Sequence, residues 1–231
     1  MIEIVCATKM TESDFWNNSP LALSIKRLAK TVPTTAAIFF SNDRGLPSVY
    51  NERINSCAEN NDAICVFIHD DVWIEDYFFL DRVVDGLKQY DVIGVAGNRR
   101  RVPRQPGWII TEWVAADNVF KEDHYSNLSG SISHANQPFG PVIYFGEVPA
   151  ECELLDGVFL AARKSALIDK QVFFDSQFYF HFYDLDFCRN ARKSGLRLGT
   201  WPISLTHKSG GDYNSKEWKE QYFRYIEKWG D

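Results

Sequence analysis

Two hydrophobic rhythms alternate along the first hundred residues. Residues 2–7 (IEIVCA), 36–40 (AAIFF) and 63–68 (AICVFI) are short, nearly continuous apolar runs, the pattern of strands buried on both faces of a sheet. Between them, Leu21, Ile25 and Leu28 recur at helical spacing over residues 20–30, with Ser19 as the expected N-cap and Pro20 at the first helical position. A second helix is predicted over residues 48–59, a third over 75–88 from Phe79, Val83 and Leu87, and a fourth strand over 91–96. Strands and helices in this alternation predict a parallel sheet with crossover helices.

The rhythm breaks between residues 98 and 149. Pro103, Pro106, Pro138, Pro141, Pro149 and the polar run 123–137 predict long loops with short strands inside them, at about 108–115 and 142–145. Residues 153–162 (ELLDGVFLAA) return to strand character, interrupted at Asp156 and Gly157 as by a bulge or a close backbone approach to a ligand. A short helix over 164–170, a helix opening at Asp184, a strand over 196–201 and an aromatic amphipathic helix over 215–229 follow.

The central apolar run ends in His69, Asp70 and Asp71. Ligands of open α/β sheets bind beyond the carboxyl ends of the strands, and alternation puts His69 and Asp71 on one face with Asp70 on the other. Two readings are open: an acid pair capping a helix that begins near Glu75, or a ligand site. Asp184 and Asp186 are either ordinary helix-start acids or, for Asp184, a general base. His207, in LTHKSGG, is either a packed histidine or a ligand. A divalent cation held with a nucleotide diphosphate needs only one or two protein ligands, so Asp71 with His207 would suffice. That donor pair suits Mn2+ better than Ca2+, with Mg2+ as the alternative.

Composition narrows the picture. The 231 residues fit one α/β domain spanning 1–231, with an irregular, loop-rich insertion at about 98–149. A net charge of −6 without an extended basic stripe argues against nucleic acid as a partner. The one basic cluster, Arg99, Arg100, Arg101 and Arg104, reads as a solvated loop or as a contact to an anionic group. There is no long apolar span and no signal-like start, and the cysteines (Cys6, Cys57, Cys65, Cys152, Cys188) are scattered. The expectation is therefore a cytoplasmic protein with no transmembrane segment and reduced core thiols. The aromatic share, 15%, permits stacking on sugar rings without requiring it.

Taken in order, the strand ending near Thr8, SNDRG, VFIHDDV, LLDGVFLAARKS, FYDLDFCRNARKSGLRL and LTHKSGG resemble the GT-A glycosyltransferases of the family 2 type. The resemblance spans roughly residues 2–211, with 98–149 fitting poorly. It implies a Rossmann-like nucleotide-diphospho-sugar transferase fold, with a mixed, mostly parallel central sheet flanked by helices. It further implies a metal-dependent (Mn2+ or Mg2+) enzyme that moves a sugar from a nucleotide-sugar donor, UDP-linked, to a carbohydrate or other hydroxyl acceptor with inversion. On this resemblance the D-x-D region falls on His69, Asp70 and Asp71. Asp71 is then a metal ligand, His69 stands where the first acid belongs, and Asp70 is left for a ribose or water-mediated contact. Asp184 takes the place of the base, with Tyr183 where a glutamate is expected, and His207 becomes a further metal or phosphate ligand. Ala7, Thr8, Asn42, Asp43 and Asn51 fall to the nucleoside, and Asp156, Gly157 and Trp108 or Trp113 to the acceptor.

Two other enzyme classes fit less well. A sugar nucleotidyltransferase expects a glycine-rich phosphate loop where this chain has CATKMTES, and a dinucleotide oxidoreductase expects G-x-G-x-x-G after the first strand. A non-catalytic nucleotide- or sugar-binding protein on the same scaffold is kept open by His69 and Tyr183.

Overall fold

From β1 (Ile2–Ala7) the chain passes through α1 (Glu12–Asn18) and α2 (Pro20–Leu28) to β2 (Thr35–Phe39), then through α3 (Leu46–Asn55) to β3 (Ile64–Ile68). Next come β4 (Val72–Ile74), α4 (Phe79–Gln89), β5 (Val92–Gly94), β6 (Ala96–Asn98) and the hairpin of β7 (Ile110–Val114) and β8 (Val119–Glu122). β9 (Leu128–His134), β10 (Val142–Gly146), β11 (Ala150–Cys152), β12 (Leu154–Leu155) and β13 (Phe159–Arg163) follow. The last elements are α5 (Lys164–Asp169), α6 (Tyr183–Lys193), β14 (Leu198–Thr200), β15 (Leu205–His207) and α7 (Lys216–Trp229). The computed structural model describes residues 1–30, 35–56 and 62–231. Cys57 and the last residues of the helix predicted over 48–59 lie outside the described residues.

The central sheet has the order β11-β14-β5-β13-β3-β1-β2. β1 runs parallel to both β2 and β3, and β14 parallel to β5. The parallel rhythm of the first half is interrupted by β13, which runs antiparallel to β3 and to β5, so the sheet is mixed. A second sheet, β12-β6-β9-β15-β4 with β10 on β9, stands at the carboxyl side of the first.

The apolar runs sort their side chains by parity. Val5, Cys65, Phe67, Leu160 and Ala162 enter one buried cluster, with Tyr50 of α3, Phe187 of α6 and Trp218 of α7. Ile4, Cys6, Val66, Ile68, Phe159 and Ala161 enter the other, with Phe15 of α1, Leu21 of α2 and Phe79 of α4. This is the two-residue period of a strand covered on both faces, and it explains why the runs are apolar except at Glu3, which pairs with Arg53. Cys6, Cys65, Cys152 and Cys188 are all buried.

Helix ends follow their capping chemistry. Ser19 accepts from Ala22 N at the head of α2, and Ser215 from Trp218 N at the head of α7, which closes on Gly230 at φ +72°. α7 is tied down by Asp186, whose carboxylate takes Lys228 at 2.7 Å and Trp229 Nε1 at 2.8 Å. Asp186 thus serves packing.

Three elements depart from the expected pattern. No helix begins near Glu75: the chain leaves Asp71 as β4 and α4 starts at Phe79, so the acid pair caps no helix. Residues 91–96 do not form one strand, because the chain crosses at Val95 from the central sheet into the second. The polar run 123–137 contains β9, paired to β6, β10 and β15. Its small residues are what the crowding demands: a Cβ on Gly130 (φ +104°) would stand 2.0 Å from Val95 O. Among the described residues, no helix is long and apolar enough to cross a membrane.

Candidate active site

The end of β3 splits its polar residues as the parity of the strand requires. Asp70 continues the Ile68 side, where Thr8 Oγ1 donates to its carboxylate at 2.5 Å and the α2 cap, Ser19, donates to its carbonyl at 2.5 Å. Burial pushes the Asp70 carboxyl above its ordinary value, against the pull of the Thr8 hydrogen bond. His69 continues the Phe67 side, where its backbone N–H donates to Val158 O and its Nε2 meets the Tyr183 hydroxyl at 3.1 Å. Burial and the neighbouring His207 both lower the His69 pKa.

Pairing of the second sheet brings His207 to Asp71. β4 starts directly after Asp71 and runs antiparallel to β15, in a register that sets His207 opposite Val72, and Lys208 N donates to Asp71 O at 2.9 Å. His207 Nε2 lies 3.2 Å from Asp71 Oδ1, and Ser209 Oγ donates to Asp71 Oδ2 at 2.6 Å. Burial would raise the Asp71 carboxyl, but these hydrogen bonds and the His207 charge hold it well below the usual carboxylate range. His69, Asp71 and His207 present ligand atoms within 4.8 Å of one another. His134, paired with His207 across β9 and β15, adds a second ring with its centroid 5.4 Å from that of His207.

Asp184 enters through a contact that only glycine permits. α6 abuts the break between β12 and β13 so closely that a Cβ on Gly157 would fall 2.5 Å from the Tyr183 hydroxyl and 2.8 Å from Asp184 Cβ. In that space Gly157 N donates to Asp184 Oδ2 at 3.0 Å, and the Tyr183 hydroxyl donates to Gly157 O at 2.8 Å. Phe182, the residue before α6, takes a left-handed conformation (φ 63°) that a bulky residue rarely holds without surrounding packing. Burial, and then the charge of Asp156, push the Asp184 carboxyl up to about 7. Gly157→Ala should therefore force α6 outward and destabilise the protein by about 1–3 kcal/mol, read by urea denaturation. Unchanged stability would mean that α6 yields without cost.

His69, His207, Tyr183 and Asp184 share a cavity of about 580 Å³, with Asp71 behind His207 and Ser209 and not itself in the wall. Its walls include His69, Trp108, Asp156, Gly157, Asp184 and His207 from the expected set, together with Phe180 and Tyr213. Trp108 packs edge-on to Phe145 at 4.9 Å and keeps little exposed surface. Trp113 is not in the wall; it anchors the β7–β8 hairpin to α7 through Trp218 and Tyr222.

The nucleoside candidates Ala7, Thr8, Asn42 and Asp43 lie at the ends of β1 and β2, and none of them is in the cavity wall. Ala7 closes β1, Thr8 reaches Asp70, and Asn42 N donates to Thr8 O at 2.8 Å. Asp43 is exposed, and its carbonyl receives the Tyr179 hydroxyl. Asn51 is not brought to this group: both ends of its amide bind the backbone of Phe174, at 2.6 and 2.9 Å. Sequence reasoning passed over Ser209 and Phe180. Ser209 carried a signal, standing two residues after His207 in a glycine-containing loop, whereas Phe180 lies in an aromatic run that reads as core.

Comparison with known proteins gives one family and a set of folds. The glycosyltransferase like family matches residues 23–222. S. aureus TarS, residues 1–349, superposes with a TM-score of 0.50 at 12% identity, covering 97% of this chain and 64% of that one. GalNAc-T7, solved with UDP, GalNAc and Mn2+, superposes with a TM-score of 0.52 at 11% identity, covering 98% and 47%. The chain thus spans less than two thirds of either protein's length. The mixed α/β architecture is the GT-A fold. No curated protein sequence matches.

Proposed function

The chain belongs to the glycosyltransferase like family, and on that premise we propose that it transfers a sugar from a nucleoside diphosphate donor, UDP-linked, to a hydroxyl acceptor with inversion at the anomeric carbon. The observation that carries this reading is the meeting, at one cavity, of a His–Asp–His cluster and a carboxylate raised to about 7. A cation-binding diphosphate end and a proton-accepting end are the two things such a transfer needs.

The donor set suits a divalent cation. Asp71 and His207 would hold it, Asp71 being kept ionised and His207 being aligned by the β4–β15 register. Carboxylate with imidazole favours Mn2+ over Ca2+, and Mg2+ is the alternative. When bound, such an ion neutralises charge developing on the leaving diphosphate. UDP and Mn2+ together in the structure of GalNAc-T7, which shares the fold, support the choice.

Asp184 accepts the proton of the attacking hydroxyl. Its carboxylate is oriented by the hydrogen bond from Gly157 N to Oδ2, and a pKa near neutrality suits a base at neutral pH. Asp156 and Trp108 line the acceptor side, where a saccharide is the simplest hydroxyl compound to lie against an aromatic wall. Thr8, Asn42, Asp43 and Asp70 bind the nucleoside beyond the ends of the parallel strands.

The test is UDP release from a panel of UDP-sugars with Mn2+, with and without acceptor saccharides. Release is expected with at least one donor, and EDTA should suppress it by about 100-fold or more. No metal-dependent release from any donor would sink the reading.

A further inference from the structure

We propose that Tyr183 is a positioning residue that fixes the tautomer of His69, leaving His69 Nδ1 as the third protein ligand of the cation site formed with Asp71 and His207. This rests on the reading of Asp71 and His207 as ligands and goes beyond it, since it gives a task to His69 and to the tyrosine that touches it.

One hydrogen atom decides the tautomer. Tyr183 Oη lies 2.8 Å from Gly157 O, and a backbone carbonyl can only accept, so the phenol hydrogen is committed there. A phenol keeps its hydrogen at neutral pH, so that hydrogen stays in place. Only lone pairs of Oη then face His69 Nε2, 3.1 Å away, and this contact is a hydrogen bond only when Nε2 carries the proton. A neutral imidazole protonated at Nε2 has its free lone pair at Nδ1. The ring is held from other directions as well: its backbone N–H is bonded to Val158 O, and one face stacks on Phe180 with centroids 5.9 Å apart. The His69 and His207 rings stand with centroids 5.7 Å apart, and each offers a ligand atom within 4.8 Å of Asp71.

Gly157 sits at the centre of this arrangement. Its carbonyl sets Tyr183, which sets His69, while its N–H sets Asp184. The backbone of one residue thus ties the cation end of the cavity to the base. Two imidazoles and one carboxylate also favour Mn2+ and Co2+ over Mg2+ and Ca2+ more strongly than one imidazole does.

Two measurements on the protein without donor decide it. Long-range 1H–15N NMR of the wild type should report His69 as the Nε2–H tautomer, and Tyr183→Phe should abolish that preference. Mn2+ binding, read from the EPR signal of the free ion, should weaken about ten- to hundredfold in Tyr183→Phe. His69→Ala should lose at least as much, and adding Tyr183→Phe to it should cost nothing further. An Nδ1–H tautomer in the wild type, no Mn2+ binding by the wild type, or unchanged affinity in Tyr183→Phe would each overturn the inference. If Tyr183→Phe fails to fold, the wild-type tautomer still decides. Failure of the transferase reading alone looks different: tautomer and Mn2+ binding as expected, with no UDP released.

Discussion

Asp184→Asn is expected to lower sugar transfer by about 10²–10⁴-fold while leaving Mn2+-dependent UDP binding intact. Asparagine keeps the shape that fits beside Gly157 but cannot take a proton. The wild-type pH profile should carry the same signature. Because burial and Asp156 raise the Asp184 carboxyl to about 7, kcat/KM should climb with pH through that value, and the climb should vanish in the variant. Stability gives an independent check of sign. A carboxyl whose folded pKa is raised favours the fold in its neutral form, so its contribution is present below its unfolded pKa and is lost as pH rises through about 7. The Tm of Asp184→Asn relative to wild type should therefore rise between about pH 5 and about pH 9. A profile flat through neutrality, or a variant that transfers normally, removes Asp184 from the role of base.

The raised carboxyl and the strained approach to it have a common source. α6 is driven against the β12–β13 break, with Phe182 in a left-handed conformation and no room for a side chain at Gly157. That packing limits water around Asp184, and the neighbouring Asp156 adds like charge. Such strain persists only where the surroundings hold it, and here they hold the carboxyl proposed as the base.

How much of this was legible in the sequence depends on where the determining contacts lie. β1 and β3 are local facts: each is a run of apolar residues whose two faces are covered, and the run itself says so. β2, expected to be as buried, is the edge strand of the sheet, with Thr35 and Ala36 exposed and Ala37, Ile38 and Phe39 half-buried. The opposite directions taken by His69 and Asp70 also follow from the strand period. β4 was not legible, because three residues become a strand only by pairing with β15, more than a hundred positions later. β9 was hidden for the opposite reason, since three of its five buried positions, Ser129, Gly130 and Ser133, are small or polar where strands crowd together.

The candidate site divides in the same way. Asp71, Asp184 and His207 stand at element ends and could be named individually. Their convergence is a property of sheet register and of the Gly157 contact. Asn51 illustrates the limit: an exposed-looking amide in a helix reads as a ligand group, yet its two bonds to Phe174 are made across 123 positions. His69 and Tyr183, each of which departs from the resembled pattern when read alone, are 114 positions apart and touch.

Asp71→Asn should abolish the Mn2+-dependent part of UDP binding and lower transfer by about 10³-fold, the scale of losing electrostatic stabilisation of a developing charge. In the wild type, UDP at about 100 times its dissociation constant should stabilise the fold by about 2.7 kcal/mol, readable as a thermal shift that shrinks when EDTA is added. In the variant, UDP should give the same small shift with or without Mn2+. Asparagine can still accept from Ser209 but loses the ionic contact with His207. A lowered melting temperature with a native circular dichroism spectrum at assay temperature is therefore expected, which separates loss of the ligand from loss of fold. The control is the adjacent acid. Asp70 points to Thr8 on the other side of β3, away from His207, so Asp70→Asn should weaken UDP binding while preserving the increment that Mn2+ adds. Two neighbouring aspartates then give opposite readouts in one assay, as strand alternation requires, and a metal increment lost with Asp70 but kept without Asp71 would reverse the assignment.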